Sequence, residues 1–221
     1  VATGAIEYEP TEYMYGKDER ILTQHQLEER LSKGEFNAKT VTMIQCVGAR
    51  NEERPNCARI CCASAVKNAL KIKELSPETD VYILYKDVRT YGFLEDHYRE
   101  AASKGVIFIR YDDKSKPEVA KEDGNLKVTV TDPVLNTKFQ IQPDLVVLSA
   151  ATIPNPDNKQ IAQLLKVPLT KDGFFLEAHM KLRPVDFATD GVFLCGMAHS
   201  PKLIDESISQ ACGAAARAIT I

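Results

Sequence analysis

Residues 41–62 read VTMIQCVGARNEERPNCARICC and hold four of the six cysteines in a chain of 221 residues. Val41, Thr42, Met43 and Ile44 make an apolar run that reads as a strand and delivers Cys46 at its end. A charged loop over residues 50–55 follows. Cys57, Cys61 and Cys62 come next, and Ala63, Ala65, Val66, Ala69 and Leu70 then recur at helical spacing. The stretch is a strand, a turn and a helix start, with thiols where glycines are expected.

Downstream the pattern continues as β-α-β-α-β over residues 41–110. Strands are predicted at 41–46, 81–85 and 106–110, with helices over 62–74 and 94–104, the second closed by Gly105. Strands alternating with helices of this size imply a parallel sheet with right-handed crossovers, an α/β fold. Pro117, Gly124, Pro133 and Pro143 then punctuate short alternating runs at 126–131 and 138–141, a small antiparallel meander. Leu145, Val146, Val147 and Leu148 read as a strand covered on both faces that returns to the parallel sheet.

Upstream, residues 1–5 (VATGA) look like the end of a buried strand, and residues 7–18 read as a connecting loop rich in Tyr, Pro and Gly. Leu22, Leu27 and Leu31 predict a short amphipathic helix with Thr23 as N-cap and Gly34 at its C-terminal end. After the sheet, residues 149–169 read as a domain crossing. Strands are predicted at 174–176 and 192–194, the second ending at Cys195 and Gly196, with a helix from about 205 to 219. The expected domains are 1–40, 41–150 and 151–221. No initiator Met opens the chain and its end falls inside a helical pattern, so a fragment of a longer protein is expected.

Composition narrows the function classes. The chain is 44% hydrophobic and 27% charged, ordinary for a globular protein with a sizeable core. A net charge of -3 with mixed signs and no basic stripe argues against nucleic acid. No apolar run reaches the roughly 18 residues of a membrane span. With no signal peptide visible and an adjacent Cys61–Cys62 pair, a reducing cytoplasm with metal or redox use of the thiols is expected over a disulfide framework.

The order of motifs resembles the two-dinucleotide-domain flavoproteins. Residues 1–5 resemble their strand-end ATG signature, 149–154 (SAATIP) their second crossing, 190–196 (DGVFLCG) the strand that reaches the flavin, and 210–215 (QACGAA) the helix beneath its ring. Closer still, the chain resembles the flavin-containing A subunit of heterodisulfide reductases. The matching stretches are 45–50 (QCVGAR), 57–62 (CARICC), 89–92 (RTYG), 181–187 (KLRPVDF) and 196–202 (GMAHSPK). The resemblance covers essentially the whole chain. It implies a Rossmann-like FAD/NAD(P)-binding fold of three layers, with residues 1–40 ending the first half of a flavin domain. Residues 41–150 then form a nicotinamide-domain-like unit and 151–221 the second half of the flavin domain. The glycine-rich phosphate loop of the first half is not in this chain, so the chain alone is not expected to be a competent enzyme.

Within that resemblance, Cys46, Cys57, Cys61 and Cys62 are the expected ligands of a [4Fe-4S] cluster, because four thiolates suit a cubane. Their spacing is neither the ferredoxin run nor a paired-CxxC zinc site. Zinc, thiol redox chemistry and buried packing stay open as readings of the residues themselves. A helix N-terminus favours thiolates, and Arg50, Arg54 and Arg59 are placed to offset cluster charge. No GxGxxG motif occurs, so the fold is expected without tight NAD(P) binding. The flavin half-site is expected at Gly196, Met197, His199, Lys202 and Gln210, although Met197 stands where relatives often carry a ribityl-binding Asp. A hydrogen-bonded loop histidine and a solvated lysine stay open for His199 and Lys202. Tyr91 either shapes the cofactor edge or caps the sheet. Cys195 and Cys212 are read as packing residues. The resemblance thus implies an oxidoreductase that relays electrons between FAD and [4Fe-4S] clusters in anaerobic energy metabolism. Its implied partners are other redox subunits, with a homodimer also open. The alternative is a docking domain with structural cysteines.

Overall fold

The computed structural model describes residues 1–220. In chain order it contains strand β1 (Ala5–Glu7), β2 (Ile21–Thr23), helix α1 (Gln24–Lys33), β3 (Thr40–Val47), α2 (Cys61–Leu75), β4 (Asp80–Tyr85), α3 (Leu94–Ser103) and β5 (Ile107–Arg110). There follow β6 (Glu118–Glu122), β7 (Asn125–Asp132), β8 (Thr137–Ile141), β9 (Leu145–Ala150), β10 (Thr152–Pro154), α4 (Asn158–Leu165), a 3-10 turn (Gly196–Ala198) and α5 (Ile204–Ala218). The chain divides into two compact units. One comprises Val1–Tyr8, Glu52–Ile60 and everything from Thr152 onward; the other comprises Glu9–Asn51 and Cys61–Ala151.

The second unit is built on a five-stranded parallel sheet of order β2-β9-β3-β4-β5. Side chains alternate along each strand, so one face receives Val41, Met43, Val81, Ile83, Leu145 and Val147, packed with Leu27, Ala65, Ala69 and Ile72 of the helices. The other face receives Ile44, Leu84, Val146 and Leu148, packed with Leu126, Val128 and Val130 of the meander. Helices, parallel sheet and antiparallel meander make three layers, as expected. The alternating runs of the sequence form β7 and β8, and the meander gains a third strand, β6. That strand escaped prediction because Glu118, Lys121 and Glu122 make its surface that of a charged edge.

Helix α1 starts as read. The Thr23 hydroxyl accepts from the Gln26 amide at 3.4 Å, and Gln26 Oε1 accepts from the Thr23 amide at 2.9 Å, a reciprocal capping box. Leu22 lies in the short edge strand rather than in the helix, but it joins Leu27 in one core cluster, stapling the helix entry. Gly34 takes φ 72°, where an added Cβ would strain the backbone, and ends the helix.

The first unit is less regular. β1 and β10 form a two-stranded antiparallel ribbon. Val1 belongs to no named strand, yet its carbonyl accepts from the Cys195 amide at 3.1 Å. Strands were expected at 174–176 and 192–194; the structure has only isolated bridges there, Leu169 with Phe175 and Asp186 with Phe193. Phe175 and Leu194 of these runs are fully buried in one cluster with Phe187, Ala162 and Val167, whereas Leu176 is exposed. Burial without a continuous ladder misled the strand expectation, because apolar runs of three residues fit both. The crossing at 149–169 contains a strand and a helix, β10 and α4. Cys212, expected to pack, is exposed on α5.

Replacing Thr23 with Ala removes one arm of the capping box and is expected to cost about 1 kcal/mol, read as a lower midpoint in urea unfolding at unchanged slope.

Candidate functional site

The thiols sit at a break in the sheet. β3 keeps register with β9 up to Ile44 and resumes at Val47, so Cys46 falls in a bulge, with φ 63°. A non-glycine residue in that region is strained, and the bulge turns its side chain out of the ladder. Gly48 and Arg50 continue with φ 69° and 57°, folding the chain back. The Arg50 guanidinium lies 3.9 Å from Cys46 Sγ and also bonds the Asp87 carboxylate. Lys86 donates to the Arg50 carbonyl at 3.2 Å and pairs with Asp113.

Cys61 and Cys62 open helix α2, and both are buried. The hydrogen bond from Cys61 pulls the Cys62 thiol down to about 7, against burial, with help from the Arg89 amide. Cys62 Sγ also lies 3.9 Å from the Asp87 carbonyl. Burial pushes the Asp87 carboxyl up, but Arg89 and Arg50 outweigh it and hold the group below its ordinary value. Thus Cys46, Cys61 and Cys62 border the strand–helix turn between β3 and α2 of a parallel sheet, the ligand edge of such folds. Tyr91 is half-exposed in the loop that follows β4.

Cys57 is carried by the loop Glu52–Ile60, part of the other unit. Its sulfur accepts from the Arg59 amide at 3.3 Å. The loop is pinned within that unit by Asn56 to Asp172 at 2.6 Å, and by Arg59 to Glu206 at 2.5 Å and to the Pro201 carbonyl at 3.2 Å. Arg54 lies over the Tyr8 ring, 4.3 Å from its centroid. Of the three arginines expected to offset thiolate charge, Arg50 brings its guanidinium to a thiol, whereas Arg59 contributes its amide. None of the six cysteines is in a disulfide. Among the described residues no group of three or more His, Cys, Asp or Glu side chains is gathered to hold a metal ion.

The residues expected at the flavin form a relay in the first unit. The Gly196 amide donates to Gln210 Oε1 at 2.8 Å, and Gln210 Nε2 lies 2.9 Å from His199 Nδ1. His199 Nε2 lies 2.7 Å from Glu177 Oε2. Because Gln210 Oε1 accepts from an amide, its Nε2 must donate to Nδ1, and the imidazole then donates from Nε2 to Glu177. Burial holds the His199 pKa below its ordinary value, partly opposed by Glu177. Met197 lies in the 3-10 turn, and Gly196 takes φ 70° at its start. Lys202 donates to Ser200 at 2.7 Å, and its pKa is lowered by burial and by Arg59. Together with Arg59, Asp205, Glu206, Ser209 and Gln210 it lines an open recess of about 420 Å³. Glu177 was not singled out from the sequence, since nothing in its local pattern marks a histidine partner 22 residues away.

No family model matches the chain. It is 43% identical over 190 residues to the A subunit of the ferredoxin:CoB-CoM heterodisulfide reductase of Methanosarcina acetivorans, covering 85% of this chain and 24% of that protein. It is 38% identical over 240 residues to the A subunit of the H(2):CoB-CoM heterodisulfide,ferredoxin reductase of Methanothermobacter thermautotrophicus, covering 99% and 36%. Against the iron-sulfur A subunit of the CoB--CoM heterodisulfide reductase of Methanocaldococcus jannaschii the identity is 40% over 237 residues, covering 97% and 35%. The chain therefore spans only 24–36% of the length of these relatives. Among solved structures, the thioredoxin reductases of T. acidophilum and Lactococcus lactis superpose with TM-scores of 0.62 and 0.63. Both are 16% identical to this chain, covering 99% of it and 64% of theirs. This likeness shows the fold, a Rossmann-type FAD/NAD(P)-binding architecture.

In a titration followed by nuclear magnetic resonance, the His199 imidazole is expected to take up its proton below the ordinary histidine value, and Glu177→Gln to lower that point further, because the carboxylate is the group that raises it. A value at or above the ordinary one in the unaltered protein would contradict the relay.

Proposed function

This chain is homologous over nearly its whole length to a segment of the A subunit of heterodisulfide reductase, and we propose that it is part of a flavin- and iron–sulfur-dependent oxidoreductase of the same kind. In this reading the parent protein passes electrons between FAD and [4Fe-4S] clusters in anaerobic energy metabolism, within a cytoplasmic complex of redox subunits. The names of the relatives support it: each specifies a reductase and one of its subunits, and one specifies an iron-sulfur protein. No helix among the described residues is long and apolar enough to cross a membrane.

The observation that carries the proposal is the placement of thiols at the strand–helix turn between β3 and α2. A nucleotide-binding turn needs glycines there for close approach of the backbone to phosphate. This turn instead presents Cys46 on a strained bulge and Cys61–Cys62 at a helix start. The donor types are those an iron–sulfur cluster takes, thiols outside disulfides, one of them held near neutral ionisation, with a guanidinium and amides beside them, and it is the resemblance to the A subunits, not a gathered set of side chains, that names four of them as ligands. Cys46, Cys57, Cys61 and Cys62 would hold the cluster, which when bound supplies one-electron transfer. Arg50 offsets thiolate charge at Cys46. The Arg89 amide supports the ionised form of Cys62, and the Arg59 amide donates to Cys57 Sγ.

For the flavin, Gly196, His199 and Gln210 act by shaping the loop, since their polar atoms bond one another. The open recess carries Lys202 and Arg59 but also Asp205 and Glu206, the latter paired with Arg59, so Lys202 is the cation it offers to an anionic part of FAD; Met197 belongs to the turn that precedes Lys202. Lys202, with its ammonium desolvated, is the group in this recess best placed to stabilise negative charge.

Iron and acid-labile sulfide measured per chain after anaerobic reconstitution, with an absorption spectrum, test the assignment. About four irons per chain are expected, as for one cubane held by four thiolates, and they should be lost in Cys57→Ala and Cys61→Ala. An iron-free protein under strictly anaerobic conditions would point instead to structural cysteines in a docking domain.

A further inference from the structure

The hydrogen bonds that join Gly196 to Glu177 close in only one protonation state of His199. A backbone amide can only donate, so Gly196 fixes Gln210 Oε1 as its acceptor at 2.8 Å. Gln210 Nε2 then faces His199 Nδ1 at 2.9 Å, and Nδ1 must offer a lone pair. A further proton on the ring has to go to Nδ1, because Nε2 already holds the one shared with Glu177 at 2.7 Å. Two donors then meet. Turning the Gln210 amide over gives Nδ1–H an acceptor, but it sets the side-chain NH2 against the Gly196 N–H. The glutamine can serve the ring or the backbone, not both.

We propose that His199 is a proton-operated switch that turns the Gln210 side-chain amide and so releases the Gly196 N–H. The surroundings suit such a device. The side chains of His199 and Glu177 are 20% and 11% exposed, so water does not readily replace a lost partner. Gly196 opens the 3-10 turn with φ 70°, and its amide is therefore the one that ties the entry of that turn to α5. Gln210 itself rides on α5, whose start is held by Glu206 accepting from the Leu203 amide at 2.8 Å. The helix stays in place while the side-chain amide turns. Gln210 also lines the recess beside Lys202, so the protonation state of His199 alters the polar groups of that wall.

The direction of the switch follows from the charges around the ring. Burial opposes the proton most, Glu177 favours it, and Lys202 on the same loop opposes it. From α5 the ring meets the neutral Gln210, while the Glu206 carboxylate is taken by Arg59 and the Leu203 amide. The imidazole is thus neutral and the relay closed at neutral pH; the relay opens as the pH falls below the ordinary histidine value.

The test is a pH titration of the whole isotope-labelled chain by nuclear magnetic resonance, with neither iron nor flavin present. The Gly196 amide and the Gln210 side-chain amide are expected to shift with the same midpoint as the His199 imidazole, the Gly196 proton moving toward the position of an unbonded amide. Glu177→Gln should lower all three midpoints together. In Gln210→Leu and Gln210→Met the imidazole still titrates, but the Gly196 response falls to a small fraction of its size, which a charge acting directly through space would not produce. Thermal melting of each variant is measured in parallel. A Gly196 or Gln210 signal that stays still while His199 titrates overturns the switch, and so does an undiminished Gly196 response in a folded Gln210 variant. Should neither variant fold, the Gly196 and Gln210 signals of the unaltered chain decide. The switch does not rest on the reading of the thiols or of the recess, and its failure leaves both as they stand.

Discussion

The central unit depends on the parallel ladder that holds β3 between β9 and β4. That strand is hydrogen-bonded on both edges and covered on both faces, with Val41, Met43 and Ile44 wholly inaccessible. A slip of one residue would exchange the set that meets the helices with the set that meets the meander. The register is therefore fixed by packing on two sides at once. The bulge at Cys46 inherits that rigidity: the strand before it cannot shift to relieve the strained backbone, so the thiol leaves the sheet at one defined place. A residue held this way needs no loop of its own to find its position, which suits a donor atom.

Around that point the charge is arranged in a chain rather than as isolated pairs. Lys86 meets Asp113 and the Arg50 carbonyl, Arg50 meets Asp87 and Cys46, and Asp87 meets Arg89. Exposed ion pairs singly contribute little, but groups that share partners lose less conformational freedom for each contact made. Several of these side chains are only partly exposed, so water screens them less than it would on an open surface. Such a network stabilises the region modestly and orients it strongly.

The first unit reaches order by another route. It has short ribbons and isolated bridges instead of a broad sheet, and its loops are fixed by side chains that satisfy backbone and one another. The Gly196–Gln210–His199–Glu177 relay is one case. Asp186 is a second, buried at 2% exposure and met by Arg217 at 3.1 Å and Arg183 at 3.5 Å. Thr3 bonding Asn158 at 2.7 Å is a third. Polar residues in this unit carry structure, so their sequence motifs answer first to the demand of holding the loops.

The sequence by itself determined the α/β alternation with its parallel sheet and small meander, the helix start at Thr23, its end at Gly34 and the apolar sets of the parallel strands. Those are local signals, read from periodicity of side chains and from residues whose backbone or hydroxyl chemistry suits a helix end. It also showed the thiols, through their types and spacing. Only the tertiary structure decided what surrounds them. The turn of Cys46 out of its ladder depends on register with β9, more than 100 residues away, and Arg50 finds its carboxylate 37 residues on. Phe175 and Leu194 were read as strand residues but lie in loops joined by isolated bridges, because an apolar run is visible in the chain whereas a ladder needs a partner strand. The pairing of His199 with Glu177 and Gln210 was hidden for the same reason: hydrogen bonds between distant residues leave no periodicity in the chain.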